Sequence, residues 1–336
     1  MEKIDFVMIW VDGNDPEWRK EFNRYSGRAA ETDDTREERY RDWDNLRYWF
    51  RGVEKFAPWV NRIHFVTCGQ VPDWLDTSNP KLHFVRHADY IPEEYLPTFS
   101  SHPIEVNMHR IDGLADKFVY FNDDCFLINA VSPERFFRKG LPCERVGCPI
   151  YFPDSFLHAH HVLTNNTWCI NQHFSKRESI RKNFWKWFSV RYLRHPRCML
   201  QTLVLLPYGK FSRFSEPHMP NSFLKSTFTE VWDKCGDILR ETSASRFREL
   251  GNVNQWLFRD WQIAKGDFVP YDVYRDSVCY ELSDPILGQV ESVIREQRKS
   301  ILVINDSSDI SSFETAKQCI NSALDAILPE KSSFEL

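Results

Sequence analysis

Two adjacent carboxylates, Asp123 and Asp124, follow the apolar run Lys117-Phe118-Val119-Tyr120-Phe121 and the polar Asn122. Carboxylates at a strand end can share a hard divalent cation with a diphosphate, because Mg²⁺ keeps one or two protein carboxylates and takes its other ligands from phosphate and water. A solvated Asn-Asp-Asp turn is the alternative, since such turns are common. His218 stands in Glu216-Pro217-His218-Met219-Pro220, where the flanking prolines stiffen the backbone and present the imidazole from a loop. The residues alone leave two readings open there, a positioned base or a histidine packed beneath the loop. Arg248, in Ser245-Arg246-Phe247-Arg248, carries a planar donor fork that suits an anion, or it is simply solvated. His102, Glu105, His109 and Arg110 recur at helical spacing, which predicts that the first three share one face, either lining a site or forming a satisfied salt-bridge cluster.

Such groups need a frame. Ile4 to Trp10 reads as a buried strand closing on the turn Val11-Asp12-Gly13-Asn14-Asp15-Pro16. Residues 31–42 read as a charged mobile loop, leading into an amphipathic helix with Leu46, Trp49, Phe50, Val53 and Phe56 on one face and a stop at Pro58. Ile63-His64-Phe65-Val66-Thr67 and Leu82-His83-Phe84-Val85 are β-formers. Ile104, Met108, Ile111 and Leu114 predict a helix before the strand at 117–121. This alternation predicts an α/β fold, a mostly parallel sheet with helices on both faces, whose ligands bind beyond the carboxyl ends of the strands. Thr227 with Glu230, and Ser311 with Glu314, read as capping boxes opening two later helices, and Val253, Trp256, Leu257 and Ala264 mark a helix between them.

Composition narrows the classes. With 43 Lys+Arg against 48 Asp+Glu, a net charge of −5 gives no field that would hold a nucleic acid. The one basic segment is 176–214, where ten Lys/Arg face the single acid Glu178 among Trp185, Trp187, Phe188 and Tyr192. It could lie on an anionic membrane surface or grip an acidic acceptor, or be a helical lid with a solvated charged face. Nine cysteines without a C-x-x-C pair write neither a disulfide framework nor a zinc ribbon. Small buried thiols in a reducing cytosol are the expectation. The N-terminus lacks a signal-peptide core, and the apolar stretch from Met199 to Tyr208, broken by Gln201, Thr202 and Pro207, falls short of a bilayer span.

Taken together, several segments resemble one family. Ile4-Asp5-Phe6-Val7 leading into Trp10-Val11-Asp12-Gly13-Asn14-Asp15-Pro16 resembles the first conserved region of the Stealth family of sugar-phosphate transferases, which includes bacterial capsular-polysaccharide phosphotransferases. Arg41-Asp42-Trp43-Asp44-Asn45-Leu46-Arg47-Tyr48, Ala57-Pro58-Trp59-Val60, Val66-Thr67, Gly69-Gln70-Val71-Pro72, Leu96-Pro97-Thr98-Phe99-Ser100-Ser101, Ile104-Glu105, His109-Arg110 and Phe121-Asn122-Asp123-Asp124 resemble the second. His218-Met219-Pro220 with Thr242-Ser243 and Arg248 resembles the third, and Asn305-Asp306 with Pro329, Phe334 and Glu335 the fourth.

The resemblance implies a Rossmann-like nucleotide-sugar transferase core with a helical insertion. It divides the chain into a nucleotide-sugar-binding half at 1–140, a basic aromatic insertion or lid at 141–214, and a second part of the core at 215–336. By resemblance Asp123 and Asp124 hold Mg²⁺ or Mn²⁺ at the diphosphate, His218 is the catalytic histidine, Arg248 contacts phosphate, and Asp124 counts with these two among the catalytic residues. Trp10, Val11, Asp12, Gly13, Arg47, Thr67 and Asn122 are expected in the nucleotide-sugar pocket. The implied reaction moves a sugar 1-phosphate from a UDP-hexose or UDP-N-acetylhexosamine to a hydroxyl of a glycan acceptor, releasing UMP. The expected setting is capsule or surface-polysaccharide synthesis in the cytoplasm, at the inner face of the membrane where the acceptor is lipid-diphosphate-linked. An ordinary metal-dependent glycosyltransferase releasing UDP, a non-catalytic glycan-binding protein and a nucleotide-sugar hydrolase are the alternatives. Some departures stand out: Asn221 and Asn252 occupy places where eukaryotic members carry a second histidine and an acid, and Asp12 replaces an asparagine of some relatives. The chain also lacks the anchors and spacer modules of the eukaryotic enzyme, as expected of a compact bacterial form.

Overall fold

A computed structural model describes residues 2–27, 41–152, 158–307 and 309–336, without the side chains of 158 and 159. Of the loop expected at 31–42, residues 31–40 lie outside the described residues.

The apolar run Ile4–Ile9 forms β1, buried along nearly its whole length. A strand without polar alternation belongs inside a sheet covered on both faces. Strands β2 (Ile63–Thr67), β3 (Leu82–Arg86) and β4 (Lys117–Phe121) run parallel to it. After β5 (Cys125–Leu127), β6 (Phe137–Arg138) and β7 (Leu141–Glu144), the strand β8 (Asn221–Leu224) closes the sheet antiparallel to β4, in the order β3-β2-β1-β4-β8. With β9 (Val269–Pro270), β10 (Ser277–Glu281) and β11 (Ile301–Asn305), the chain builds two small sheets, β10-β11-β5 and β6-β7-β9, which the sequence pattern did not announce.

The helices are α1 (Pro16–Ser26), α2 (Leu46–Phe56), α3 (Ser101–Val106), α4 (His158–His173), α5 (Lys176–Lys182), α6 (Phe184–Trp187), α7 (Arg197–Val204), α8 (Lys225–Ala244), α9 (Trp256–Lys265), α10 (Leu287–Arg295) and α11 (Phe313–Ile327). Successive β1 side chains alternate between two cores. Phe6 and Met8 pack with α2, α10 and α11, while Val7 packs with α3, α8 and α9. The expected face of α2 is the buried one, and Gly52 lets the helix touch β5: a Cβ there would sit 2.6 Å from the Leu127 carbonyl oxygen. The mostly parallel α/β architecture expected from the sequence is therefore the observed one.

Three local expectations differ. The helix after Pro103 ends at Val106, where Asn107 Nδ2 donates to the Pro103 carbonyl and to Ser243 Oγ, and only a 3₁₀ turn, Met108–Arg110, follows. Thr227 and Glu230 cap nothing, since α8 already starts at Lys225; Thr227 faces Gln262 and Glu230 pairs with Lys265. The closing helix is capped by Ser312, which accepts from the Thr315 amide, one residue later than predicted. All nine cysteines are free, five of them buried.

Candidate active site

Register explains why distant residues meet. Because β1 and β4 are parallel neighbours, the loops after them, Trp10–Asp15 and Asn122–Asp124, leave the same sheet edge side by side. Because β8 runs against β4, with Asn221 opposite Tyr120, the loop entering β8 returns to that edge. It brings His218 Nε2 to 2.8 Å from Asp124 Oδ2. Around them lies a cavity of about 670 Å³, the size of a small-ligand cleft.

The loop after β1 is held by Gln70, whose side-chain oxygen accepts from the Asp12 amide and whose nitrogen donates to the Asp12 carbonyl and to Asp15 Oδ2. Asp15 in turn caps α1, accepting from the amides of Glu17 and Trp18. Trp10 and Val11 face the cavity, with Trp10 stacked 5.8 Å from Phe65. On the far side, the loop after α8 is pinned by the Phe99 amide to the Arg246 carbonyl at 2.8 Å, by Thr98 Oγ1 to the Ser245 carbonyl at 3.2 Å, and by Phe99 stacked on Phe247 at 5.3 Å. Arg248 consequently reaches the cavity wall; burial raises the Glu105 carboxyl, and the charge of Arg248 opposes that rise.

Electrostatics single out the acidic corner. Asp123 is open to the cavity but enclosed by protein; this desolvation, with the charge of Asp124 beside it and that of Asp42, pushes its carboxyl up to about 7. Burial opposes protonation of His218, yet the hydrogen bond and charge of Asp124, with Glu105 and Asp123, outweigh it and raise the imidazole. Burial raises Asp42 too, helped by the charges of Asp44 and Asp12. Asp124 Oδ1 accepts from Cys125 Sγ, so its orientation is fixed twice.

A crowded pair of carboxylates that resist joint ionisation is a fitting place for a hard divalent cation, which would relieve their repulsion. The described residues hold no group of three or more His, Cys, Asp or Glu able to cage a metal. Two adjacent carboxylates suit an ion that completes its shell with phosphate and water, as Mg²⁺ does.

Of the residues picked from the sequence, Trp10, Val11, Asn122, Asp123, Asp124, His218 and Arg248 line one cavity. Asp12, Gly13, Arg47 and Thr67 do not. Asp12 and Gly13 build the loop behind it, Thr67 Oγ1 shapes the Cys68–Gln70 turn by donating to the Gln70 carbonyl and accepting from the Gly69 amide, and Arg47 lies over Trp74 at 5.6 Å. His102 and Glu105 reach the cavity, whereas His109 and Arg110 pack on Trp232 because the helix breaks between them. Glu105 accepts from Tyr120 Oη and from the Gln255 amide, a positioning role. Asn252 closes the turn beyond Arg248 by accepting from the Glu249 amide.

Sequence reasoning did not assign to the site Glu281 and Asp306, at the ends of β10 and β11, or Gln255 and Trp256, at the start of α9, although Asp306 falls in the segment that resembles the fourth conserved region. The first two obey the same strand-end rule as Asp123, hidden by the unforeseen second sheet. Gln255 Oε1 and Trp256 Nε1 are buried with no hydrogen-bond partner among the described residues.

Residues 39–143 match the family described as Stealth protein CR2, conserved region 2. The chain is similar to a capsular polysaccharide phosphotransferase of Streptococcus pneumoniae, 39% identical over 100% of this chain and 98% of that one. It is similar to a receptor polysaccharide phosphotransferase of Streptococcus gordonii, 40% identical over 100% of both, and to an exopolysaccharide phosphotransferase of Lactiplantibacillus plantarum, 35% identical over 99% and 96%. Among solved structures, a galactosyltransferase in complex with donor and acceptor sugar analogues covers 95% of each chain at 9% identity and a TM-score of 0.40, too slight a likeness to bear on function. On identity of this level over the whole of this chain, with Asn122, Asp123 and Asp124 of the cavity inside the matched conserved region, the protein belongs to the Stealth family.

Proposed function

We propose that the protein transfers a sugar 1-phosphate from a UDP-hexose or UDP-N-acetylhexosamine to a hydroxyl of a glycan acceptor, releasing UMP, in the synthesis of a capsule or another surface polysaccharide. The observation that carries this reading is the His218–Asp124 pair, 2.8 Å apart beside Asp123 in a cavity that Arg248 also lines. Relatives named as capsular and exopolysaccharide phosphotransferases support it. The acceptor hydroxyl gives its proton to His218 while its oxygen forms a bond to the phosphorus nearer the donor sugar. The bond from that phosphorus to the bridging oxygen breaks, and UMP departs with the electron pair. Asp124 orients the imidazole and stabilises the imidazolium formed when the proton arrives, the service an aspartate gives a catalytic histidine elsewhere. Arg248 offers a donor fork to the phosphoryl oxygens. Mg²⁺ or Mn²⁺ at Asp123 and Asp124 would neutralise charge on the diphosphate when bound.

The test is to incubate the protein with UDP-sugars, Mg²⁺ and a glycolipid extract and to identify the nucleotide by chromatography. UMP that appears only with acceptor is expected; UDP would make the chain a conventional glycosyltransferase, and UMP without acceptor a hydrolase. An acceptor carried on a lipid diphosphate would bring this chemistry to the inner face of the membrane, and no described helix is long and apolar enough to cross one.

A further inference from the structure

The basic segment singled out in the sequence has no part in the cavity. Its structure departs from a merely solvated charged face in one respect: it exposes large apolar side chains. Among the described residues, eight of the fourteen exposed large hydrophobics fall between positions 184 and 208: Phe184, Trp185, Val190, Leu193, Leu200, Leu203, Val204 and Tyr208. Trp185 is 82% exposed and Val204 63%, although an apolar side chain in water gains nothing by staying there. On α7, Arg197, Leu200, Leu203 and Val204 follow helical spacing along one side, and Phe184 meets Trp185 edge-on at 5.2 Å. Lys176 Nζ donates to the Leu205 carbonyl, tying the end of α7 to the start of α5.

The charges around this surface divide into two sets. Lys176, Lys186 and Lys210 donate to carbonyls and Lys182 pairs with Glu178, so these serve the fold. Arg181, Arg191, Arg194 and Arg197 are exposed and have no ion-pair partner among the described residues. Exposed apolar side chains, an aromatic pair and unneutralised arginines within one segment match the interfacial zone of an anionic bilayer, where tryptophan sits at headgroup depth and arginines reach the phosphates. An anionic polysaccharide would satisfy the arginines but offers nothing to Leu200, Leu203 and Val204. A second copy would cover the leucines but bring two sets of like charges together.

We propose that the face spanning residues 181–208 docks the protein on an anionic lipid surface. The docking goes beyond the proposed reaction and does not depend on it. Flotation with vesicles of phosphatidylcholine, alone or mixed with phosphatidylglycerol, tests it. The wild type floats with the mixed vesicles at low salt and less at high salt. Arg191→Gln/Arg194→Gln/Arg197→Gln lowers that partitioning on the order of tenfold to a hundredfold at low salt. Trp185→Gln/Leu200→Gln/Leu203→Gln lowers it at every salt concentration, and both variants keep wild-type unfolding midpoints and UMP release with a soluble acceptor. Absence of wild-type flotation overturns the proposal, as does flotation that both variants retain. So does a finding that the face instead binds soluble anionic polysaccharide, or holds a dimer by light scattering, without binding vesicles. Loss of UMP release with intact flotation would refute the proposed reaction and leave the docking standing.

Discussion

Arg259 is fully buried on α9 and ties together the parts of the chain that carry the loop bearing His218. Its Nε donates to Glu144 Oε2 at 2.8 Å, its Nη2 to the Arg145 carbonyl at 2.9 Å and its Nη1 to the Ser215 carbonyl at 3.0 Å, three residues before His218. Asp260 Oδ1 stands 3.5 Å from the same guanidinium. Arg259→Leu removes the charge-assisted pairing with Glu144 and leaves the buried Arg145 carbonyl, the part-buried Ser215 carbonyl and an uncompensated Glu144. Breaking a buried pair by deleting one partner costs about 3–5 kcal/mol, a large share of the roughly 5–15 kcal/mol that holds a typical protein folded. Urea unfolding followed by tryptophan fluorescence at neutral pH reads this directly. The pH dependence gives a second check. Burial raises Glu144 and Asp260 and pushes Glu216 up to about 7, opposed by the Arg259 charge. A carboxyl whose folded pKa lies above its unfolded value stabilises fully below the unfolded value and loses that contribution as pH rises through the folded one. Without Arg259 these acids rise further, so the deficit of the variant widens with rising pH and narrows in acid. A loss below about 1 kcal/mol, or a deficit that widens in acid, would refute the reasoning.

Other consequences are separately testable. His218→Ala should lower turnover about 10²–10⁴-fold with little change in the KM for the donor; steady-state kinetics with near wild-type turnover would remove its role as base. Asp123→Asn, which keeps size but loses charge, should raise the half-saturating Mg²⁺ concentration by about tenfold or more; an unchanged titration would place the ion elsewhere. His87 is buried and held neutral, its imidazole pushed down to about 4 by burial alone, so the unfolded chain binds more protons between about 4 and 6.5 and about 3 kcal/mol of stability is lost as the pH drops from about 6.5 to about 4. Urea midpoints measured across it should flatten in His87→Asn, and an unaltered slope would assign the acid sensitivity to other groups.

Much of this site was legible because its physics is local. Apolar runs ending in Trp10-Val11-Asp12 and in Asn122-Asp123-Asp124 announce strand ends, and parallel strands place such ends together. His218 and Arg248 were only two ambiguous side chains until the resemblance promoted them. What decides their position is non-local: an antiparallel last strand for His218, and the pinning of residues 245–247 to 98–99 for Arg248. Glu281 and Asp306 were hidden for the same reason, since β10-β11-β5 joins segments far apart in the chain. Thr67 and Arg47, expected in the pocket, show the converse limit: a motif marks the neighbourhood of a site, but whether a side chain faces ligand, turn or Trp74 is set by packing.

The central claim is that the phosphate travels with the sugar. A UDP-sugar carrying radioactive phosphorus only at the position nearer the sugar tests it most directly, with Mg²⁺ and acceptor present and products separated into glycan and nucleotide. Sugar-phosphate transfer puts the label in the glycan and leaves unlabelled UMP in solution. Label recovered in released UDP, with an unlabelled glycan, would contradict it.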